Sequence, residues 1–381
     1  MNFFGECTGR NRRLVIRGAA SLFAAVLLLA FGGCGKRGVP HQVVERPIGQ
    51  AIAIHTPLGL PPVPIPESNP PTSETIDLGR RLFYEVKLSS DGSLACTSCH
   101  NPELGFCDRR KHSTGVGGKP GQRNAPTVVN AAYSAMQFWD GRAASLEAQA
   151  GGPLANPIEM NQAHEVCVSK LESDPAYKTE FERAFGPGPI TIGKLEEAIA
   201  SFERTLISGN SRFDRYEFSG DKHALSAAEI RGLEIFRDEK RGDCASCHTI
   251  GNNFALFTDG KFHNIGVGVN EEGELTDLGR YDETKVQSDK GAFKTPTLRN
   301  VGLTAPYMHD GSLKTLKDVV DFYAGGGNSN PYIDPKIKSI HLSGQERADL
   351  VAFLESLTGD VPGDPPRDSG RPTPTQVGRL Q

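Results

Sequence analysis

The sequence has few of the alternating patterns typical of β-strands and few methionines, a residue that often ligates a redox metal. Its 381 residues include four methionines and one tryptophan, and the alternating apolar and polar residues of half-buried strands are scarce. The apolar run at residues 19–31 is shorter than a helix that spans a bilayer. A formal net charge of −4 argues against a nucleic-acid partner. Glycine and proline are plentiful, at 43 and 26 residues, which predicts long loops.

The first 33 residues have the pattern of a secretory signal peptide. Four arginines between residues 10 and 17 precede the apolar run, and Gly32-Gly33-Cys34 follows it. Cys34 resembles a lipoprotein cleavage site, so we expect either lipidation of Cys34 or ordinary cleavage. Both outcomes predict an exported, periplasmic protein; lipidation of Cys34 would also anchor it to the membrane, whereas ordinary cleavage would leave it without an anchor. Loss of the arginines makes the mature chain more acidic, which suits a basic protein partner.

The pentapeptide Cys-x-x-Cys-His occurs twice, at residues 96–100 and 244–248. It is the attachment sequence for c-type haem, in which the thiols bond to the porphyrin and the histidine ligates the iron. One copy would also fit a redox dithiol or half of a zinc site, but two complete copies favour haem. We therefore predict two covalent haems, the first held by Cys96, Cys99 and His100 and the second by Cys244, Cys247 and His248.

The surroundings of the two haem motifs indicate an internal duplication. A Gly-x-x-x-Phe segment begins at Gly79 before the first motif, and another begins at Gly232 before the second. Each is interpreted as a helix that leads into a haem site, and apolar stripes predict further helices near residues 192–206 and 343–357. The predicted fold class is mainly α, with two cytochrome c-like haem domains and long loops. The expected order is a proline-rich linker at 34–72, haem domains at 73–224 and 225–360, and a disordered tail at 361–381.

Two cysteines fall outside the haem motifs and the N-terminal segment. Cys107 and Cys167 are compatible with a disulfide in an oxidising compartment. Nothing in the adjacent sequence decides whether they pair, so the disulfide is left open.

The supply of iron ligands bears on whether the protein is an electron carrier or an enzyme. A carrier needs a second strong ligand on each iron, usually Met or His, whereas an enzyme leaves one iron open. After the signal peptide only Met136, Met160 and Met308 remain, and His112 is the one histidine in the twenty residues after the first motif. This shortage favours an enzyme, with a di-haem carrier as the alternative.

Further motifs surround both haem sequences. The first half contains Arg-Asn-Ala-Pro-Thr at 123–127, Gln-Phe-Trp-Asp-Gly-Arg at 137–142 and Gln-Ala-Gly-Gly-Pro at 149–153. The second half contains Thr-Pro-Thr-Leu-Arg-Asn at 295–300 and Ala-Pro-Tyr-Met-His-Asp-Gly at 305–311. From about residue 74 to 358, the chain resembles the bacterial di-haem cytochrome c peroxidases and their MauG-type relatives. The resemblance implies a peroxidatic N-terminal haem and an electron-relay C-terminal haem.

The resemblance also implies roles for individual residues. Gln149, Pro153 and Glu159 would line the distal pocket of the haem held by His100. Peroxide cleavage moves a proton from one peroxide oxygen to the other. Glu159 is the expected proton shuttle, because the Gln149 amide does not titrate. Trp139, the single tryptophan, would carry electrons between the haems.

A calcium ion is implied by the same resemblance. Asn124 and the backbone carbonyls of Thr304 and Pro306 correspond to calcium ligands between the two domains of family members. Oxygen donors suit this hard cation. We therefore expect one bound calcium ion.

Two positions depart from the pattern of many family members. Where those members carry a histidine that caps the peroxidatic iron, this chain has Val116, which cannot ligate. His112 is a substitute only if its loop reaches inward, so a five-coordinate peroxidatic haem is expected. Where they carry a methionine on the relay haem, this chain has Tyr323, as MauG-type proteins do, and Met308 is the competing ligand.

These patterns predict a periplasmic di-haem peroxidase. It would reduce hydrogen peroxide with electrons from a small cytochrome c or a cupredoxin. The alternative within the same family is a MauG-type enzyme that uses peroxide to oxidise side chains of a partner protein. Whether the chain forms a homodimer is left open.

Overall fold

The computed structural model describes residues 46–362, which belong to one compact unit. The signal peptide, Cys34 and the tail from residue 363 lie outside the described residues. The mainly α prediction is confirmed, since the only strands in the described part are β1 (Phe262–His263) and β2 (Phe293–Lys294), paired antiparallel. The helices are α1 (Ser73–Phe83), α2 (Leu146–Ala155), α3 (His164–Glu172), α4 (Pro175–Phe185), α5 (Ile192–Glu203), α6 (Arg212–Phe218), α7 (Ala227–Arg237), α8 (Tyr281–Thr284), α9 (Leu316–Gly325) and α10 (Gly344–Glu355).

Eight short 3₁₀ turns lie between these elements in the described part of the chain. They cover Val86–Leu88, Cys96–Ser98, Pro102–Leu104, Val116–Gly118, Ala131–Tyr133, Cys244–Ser246, Gln287–Asp289 and Val301–Leu303. Both haem motifs begin on such a turn.

The helix before each haem motif packs on a later helix through a glycine. At Gly79 of α1, a Cβ atom would lie 1.8 Å from the Ala198 carbonyl oxygen of α5. At Gly232 of α7, it would lie 2.1 Å from the Asp349 carbonyl oxygen of α10. Only glycine permits backbones to approach this closely. The repeated Gly-x-x-x-Phe segment therefore marks a repeated helix crossing.

The described residues form two hydrophobic cores, one from residues 76–206 and the other from residues 213–357, so Phe213 of α6 packs in the second core. In the first half, Phe83 of α1 meets Phe202 of α5 edge to face, with ring centroids 5.3 Å apart. In the second, Phe236 of α7 meets Phe353 of α10 at 5.1 Å. We use first half for residues 73–224 and second half for 225–360; these domain boundaries stay predictions.

The described part of the proline-rich segment, residues 46–72, packs along the rest of the protein. The Leu58 N–H donates to Asn210 Oδ1 at 3.1 Å, and the Gly59 carbonyl accepts from Arg299 Nη2 at 2.5 Å. Asn69 is buried and donates to Glu147 Oε1 at 2.8 Å. Proline content predicted a linker here, and it carries no information about the distant partners on which residues 46–72 pack.

Two further points concern the cysteines and the membrane. Cys107 and Cys167 are free thiols; Cys107 Sγ donates to the Leu104 carbonyl at 3.1 Å, and Cys167 Sγ lies 3.7 Å from the Leu88 carbonyl. Within residues 46–362, no helix has the length and apolar character needed to cross a bilayer.

Candidate active site

The two motif histidines have matching backbone partners. His100 Nδ1 lies 3.3 Å from the carbonyl oxygen of Phe106, and His248 Nδ1 lies 2.8 Å from that of Phe257. Phe106 and Phe257 both adopt left-handed backbone conformations, with φ of 58° and 52°, uncommon for bulky residues. A carbonyl on Nδ1 helps to fix the ring, and Nε2 would hold the iron of a bound haem. Burial lowers the pKa of both histidines, which keeps the imidazoles neutral, as ligation requires.

A large cavity, here called the second cavity, lies against the second haem motif. Cys244, Cys247, His248 and Tyr323 line it. Burial raises the pKa of the Cys244 thiol to about 12. A concave apolar wall with both thiols and the histidine on it fits a covalently bound porphyrin. The apolar lining includes Phe236, Leu256, Ile265, Leu298, Leu316, Val320, Ile340, Leu350 and Leu354.

The predicted proton shuttle lies beside the first haem motif. Burial raises the pKa of Cys99 to about 11, and the nearby Asp108 and Glu159 carboxylates add to that rise. Glu159 is therefore within electrostatic reach of an attachment cysteine. Burial also raises the pKa of Glu159, while the Arg142 guanidinium and the amide of Asn156 act in the opposite direction. Such a carboxyl is poised to exchange protons closer to neutral pH than an ordinary glutamate.

Gln149 and Pro153 both lie on α2, which leads directly to Glu159. Pro153 is inside the helix, and its carbonyl accepts from the Met160 N–H at 3.1 Å. This bond ties the end of α2 to the Glu159 segment. The structure thus brings all three predicted distal residues onto one helix and the turn that follows it. The Gln149 side chain is half-buried.

The segment that carries the expected cap position also touches Glu159. The Val116 N–H donates to the Glu159 carbonyl oxygen at 2.8 Å. His112 Nε2 is buried and has no hydrogen-bond partner among the described residues, while the adjacent Ser113 lies beside Cys99. A cap by His112 stays a prediction.

Trp139 lies at the cavity of the second haem motif and follows a residue that faces α2. It lines the cavity of the second haem motif, and its Nε1 donates to the Asn124 carbonyl oxygen at 2.9 Å. The preceding Phe138 ring faces α2, where a Cβ on Gly152 would lie 3.2 Å from it. This pair of aromatic residues therefore reaches from the Pro153 helix to the second cavity.

An ion-pair network joins the two halves beside Trp139. Arg123 binds Asp277 of the second half through two hydrogen bonds of 2.7 and 2.8 Å. It also pairs with Asp140 at 2.5 Å. Arg280 Nη1 donates to the carbonyl oxygens of Asp140 and Gly141, each at 2.9 Å. Bidentate arginine contacts of this kind fix relative orientation.

Tyr323 and Met308 both line the second cavity. Burial raises the pKa of the Tyr323 phenol, and Cys244 and Cys247 add to the rise. The phenol thus lies within electrostatic reach of both attachment thiols. Met308 has a left-handed backbone, with φ of 73°. The choice of Tyr323 as iron ligand stays a prediction.

The three expected calcium ligands lie on the wall of the same cavity. Asn124, Thr304 and Pro306 all line it. Asn124 Nδ2 donates to the Arg110 carbonyl at 2.8 Å, so its Oδ1 is the atom left to face a cation. The described residues thus agree with an oxygen donor set, and calcium binding stays a prediction.

Sequence reasoning missed several residues of the site. Phe106 and Phe257, whose carbonyls face the histidines, follow their motifs at different distances, so no shared spacing signals them. Asn156, which donates to Glu159 Oε1 at 2.8 Å, lies three residues before Glu159. Only its identity as an amide at a helix end hinted at a role.

Comparisons with known proteins agree with this architecture. The family model described as di-haem cytochrome c peroxidase matches residues 73–223, and the cytochrome c model matches residues 230–358. The methylamine utilization protein MauG of Methylorubrum extorquens is 41% identical over 78% of this chain and 82% of its own. The cytochrome c551 peroxidase of Nitrosomonas europaea is 37% identical over 78% and 84%.

A solved structure resembles the chain over most of its length. It is a MauG-like protein associated with microbial copper homeostasis, 34% identical, with a TM-score of 0.73 over 81% of this chain and 96% of the other. Relatives of both kinds match both halves around the two Cys-x-x-Cys-His motifs. The chain therefore belongs to the di-haem cytochrome c peroxidase family, and it is an oxidoreductase that carries two c-type haems.

Proposed function

We propose that this protein reduces hydrogen peroxide at the haem held by His100, in the periplasm, with electrons from a small cytochrome c or a cupredoxin. The observation that carries the proposal is the surroundings of Glu159. This carboxyl is half-buried beside Cys99, burial raises its pKa, and the position expected for a capping histidine holds Val116. When bound, the haem supplies the iron that reacts with peroxide.

The chain's own residues then move a proton. The Glu159 carboxylate takes the proton from the peroxide oxygen nearer the iron and returns it to the farther oxygen. The O–O bond breaks, and the farther oxygen leaves as water. Gln149 supports this step by orienting peroxide through its amide, and Pro153 fills the wall beside it without adding a donor.

Electrons reach this site from the second half through Trp139. Its ring lies on the wall of the second cavity, and the adjacent Phe138 faces α2. Two electrons and two protons complete the reduction of peroxide to two waters. The redox protein supplies the electrons.

A second candidate function is MauG-type oxidation of a partner protein. The observation that favours it is Tyr323, which lies in the cavity with Cys244, Cys247 and His248. A phenolate donor stabilises oxidised iron and lowers the haem potential. Such a haem accepts electrons poorly from an ordinary cytochrome and suits storage of an oxidising equivalent. In that case peroxide oxidises side chains of a partner protein instead of a small electron donor.

Substitution of the proposed proton shuttle tests the peroxide step. Glu159→Gln keeps the size of the side chain and removes its titrating proton. We expect the reaction of the ferric protein with peroxide, followed by stopped-flow absorption, to slow by about 10²- to 10⁴-fold, with unchanged haem content. A wild-type rate would return Glu159 to the role of an ordinary half-buried carboxylate.

A further inference from the structure

The Glu159 carboxylate is held by a neighbouring amide. Asn156 Nδ2 donates to Glu159 Oε1 at 2.8 Å. The Asn156 carbonyl oxygen accepts from the Glu159 N–H at 3.0 Å, and its Oδ1 accepts from the Ile158 N–H at 3.2 Å. Asn156 is also the C-cap residue of α2, directly after its last residue, Ala155. Asn156 thus binds the backbone of the turn, and its side-chain amide also binds the Glu159 carboxylate.

A second segment of the chain contacts the same turn. Residues 115–119, here the Gly115 loop, contact the backbone of residues 157–159. The Val116 N–H donates to the Glu159 carbonyl at 2.8 Å, and Lys119 Nζ donates to the Pro157 carbonyl at 3.0 Å. A Cβ on Gly115 would lie 2.0 Å from the Ile158 carbonyl oxygen and 2.9 Å from that of Glu159. No other residue fits this approach without moving the backbone.

We propose that Asn156 and Gly115 are positioning residues for proton transfer at Glu159. Asn156 aims the carboxylate through its amide. Gly115 lets the Gly115 loop come close enough for Val116 to hold the Glu159 backbone. The inference rests on the proposed role of Glu159 and names the residues that this role requires.

The physical basis is the geometric demand of proton transfer. A carboxylate must lie within hydrogen-bond distance of both peroxide oxygens in turn, and a displacement of about 1 Å can cost about 10²-fold in rate. Glutamate has three rotatable side-chain bonds and does not hold such a position unaided. The Asn156 amide also stabilises the charged form of the carboxyl, so its removal raises the carboxyl pKa.

Three substitutions test the proposal in the full-length two-haem protein. Asn156→Ala removes the donor and should slow the reaction with peroxide by about 10- to 100-fold, the scale of a hydrogen bond to a charged group. Gly115→Ala should slow it at least as much, because the loop must withdraw. Gly121→Ala is the matched control in the same segment: its Cβ would lie 3.4 Å from the nearest atom, and we expect the wild-type rate.

A measurement independent of turnover accompanies these rates. The carbonyl band of protonated Glu159 can be identified by infrared spectroscopy as the band that Glu159→Gln removes. Its titration midpoint should rise in Asn156→Ala. It should rise further in Asn156→Asp, which keeps the shape but places a second carboxylate beside the first. An unchanged midpoint in both variants would overturn the role of Asn156.

A double-mutant cycle separates this inference from the function on which it rests. In the Glu159→Gln background, Asn156→Ala should change the rate by less than about two-fold, because residues that act through one group are not additive. A full further loss would overturn the positioning role.

If Glu159→Gln slows the reaction but Asn156→Ala and Gly115→Ala do not, the inference fails and the proposed function stands. If Glu159→Gln reacts at the wild-type rate, the proposed function fails first. Should Gly115→Ala not fold, the Asn156 variants decide the test.

Discussion

The two halves of the molecule share a turn and the helix that follows it, and they differ in a few of the residues that these elements carry. In each half a tight turn leads to a helix capped by a hydroxyl side chain, Ser145 before α2 and Thr315 before α9. The residues that enter the turns, Phe138 and Met308, both have left-handed backbones. Counted from its first residue, the eighth position of α2 is Pro153 and the eighth position of α9 is Tyr323. The same helix position therefore carries a side chain without any donor in one half and a phenol in the other.

This difference indicates how a duplicated haem fold acquires two functions. A phenol at the eighth position can occupy the ligand position of the second haem. In the proposed function, proline at the same position leaves the first haem accessible to peroxide, and Glu159 follows in the next turn. The turns before the two helices also differ, since Trp139 occupies the position that His309 has in the second half. In the proposed function, a few substitutions on a repeated frame thus separate a reactive site from a relay.

Removal of one haem at a time should break the comparison most strongly. Cys96→Ala with Cys99→Ala should remove one covalent haem and abolish peroxide turnover, whereas Cys244→Ala with Cys247→Ala should leave a haem that still reacts with peroxide. Covalent haem retained after acid–acetone extraction, with peroxide consumption, measures both. Peroxide turnover that survives the first pair and is lost with the second would reverse the assignment of the halves.

The next largest effect is expected at the eighth position of α9. Tyr323→Phe removes the phenol oxygen and should change the absorption and electron paramagnetic resonance spectra of one haem only, while any long-lived state produced by peroxide is lost. Tyr323→Met should restore a relay that accepts electrons from a cytochrome. If Tyr323→Phe leaves the spectra untouched and Met308→Leu alters them, Met308 is the ligand and the MauG-type candidate fails.

Local sequence patterns predicted the local parts of this architecture. The long-range placement of Tyr323 in the cavity of the second haem motif was expected only from the resemblance to a known family. The haem motifs and the helices at Gly79 and Gly232 depend on residues within a few positions of one another, so the sequence alone predicts them. The contact between the Gly115 loop and the Glu159 turn joins segments about forty residues apart. No periodic pattern in the sequence predicts such a contact. The packing of residues 46–72 could not be predicted for the same reason, because proline content indicates that a segment is stiff but not which residues it contacts.

A smaller change should shift the pH dependence of the first site. Burial raises the pKa of Glu159, and the Arg142 guanidinium lowers it. Because Glu159 must begin as a carboxylate, the peroxide reaction should slow as pH falls through that raised pKa. Arg142→Gln removes the opposing charge, so the acid limb of the pH–rate profile should move to higher pH. Lys314→Gln, an exposed cation in the second half, is the control and should leave the limb in place. A limb that moves to lower pH would contradict the assignment to Glu159.

The smallest effects are expected at the two helix crossings, where the halves should behave alike. Gly79→Ala and Gly232→Ala place a Cβ 1.8 and 2.1 Å from backbone oxygens of α5 and α10, so the helices must separate. Overpacking of this kind costs about 1–3 kcal/mol of unfolding free energy, measured by denaturant titration of the holoprotein. Gly193→Ala and Gly344→Ala are matched controls on the partner helices: nothing lies nearer than 3.9 Å to the first new Cβ and nothing within 4 Å of the second. Since alanine favours helix over glycine, these controls should be neutral or slightly stabilising. Equal losses at Gly79 and Gly232 would show that the two crossings contribute alike, whereas a loss at only one would show that the duplicated frame is no longer shared at this contact.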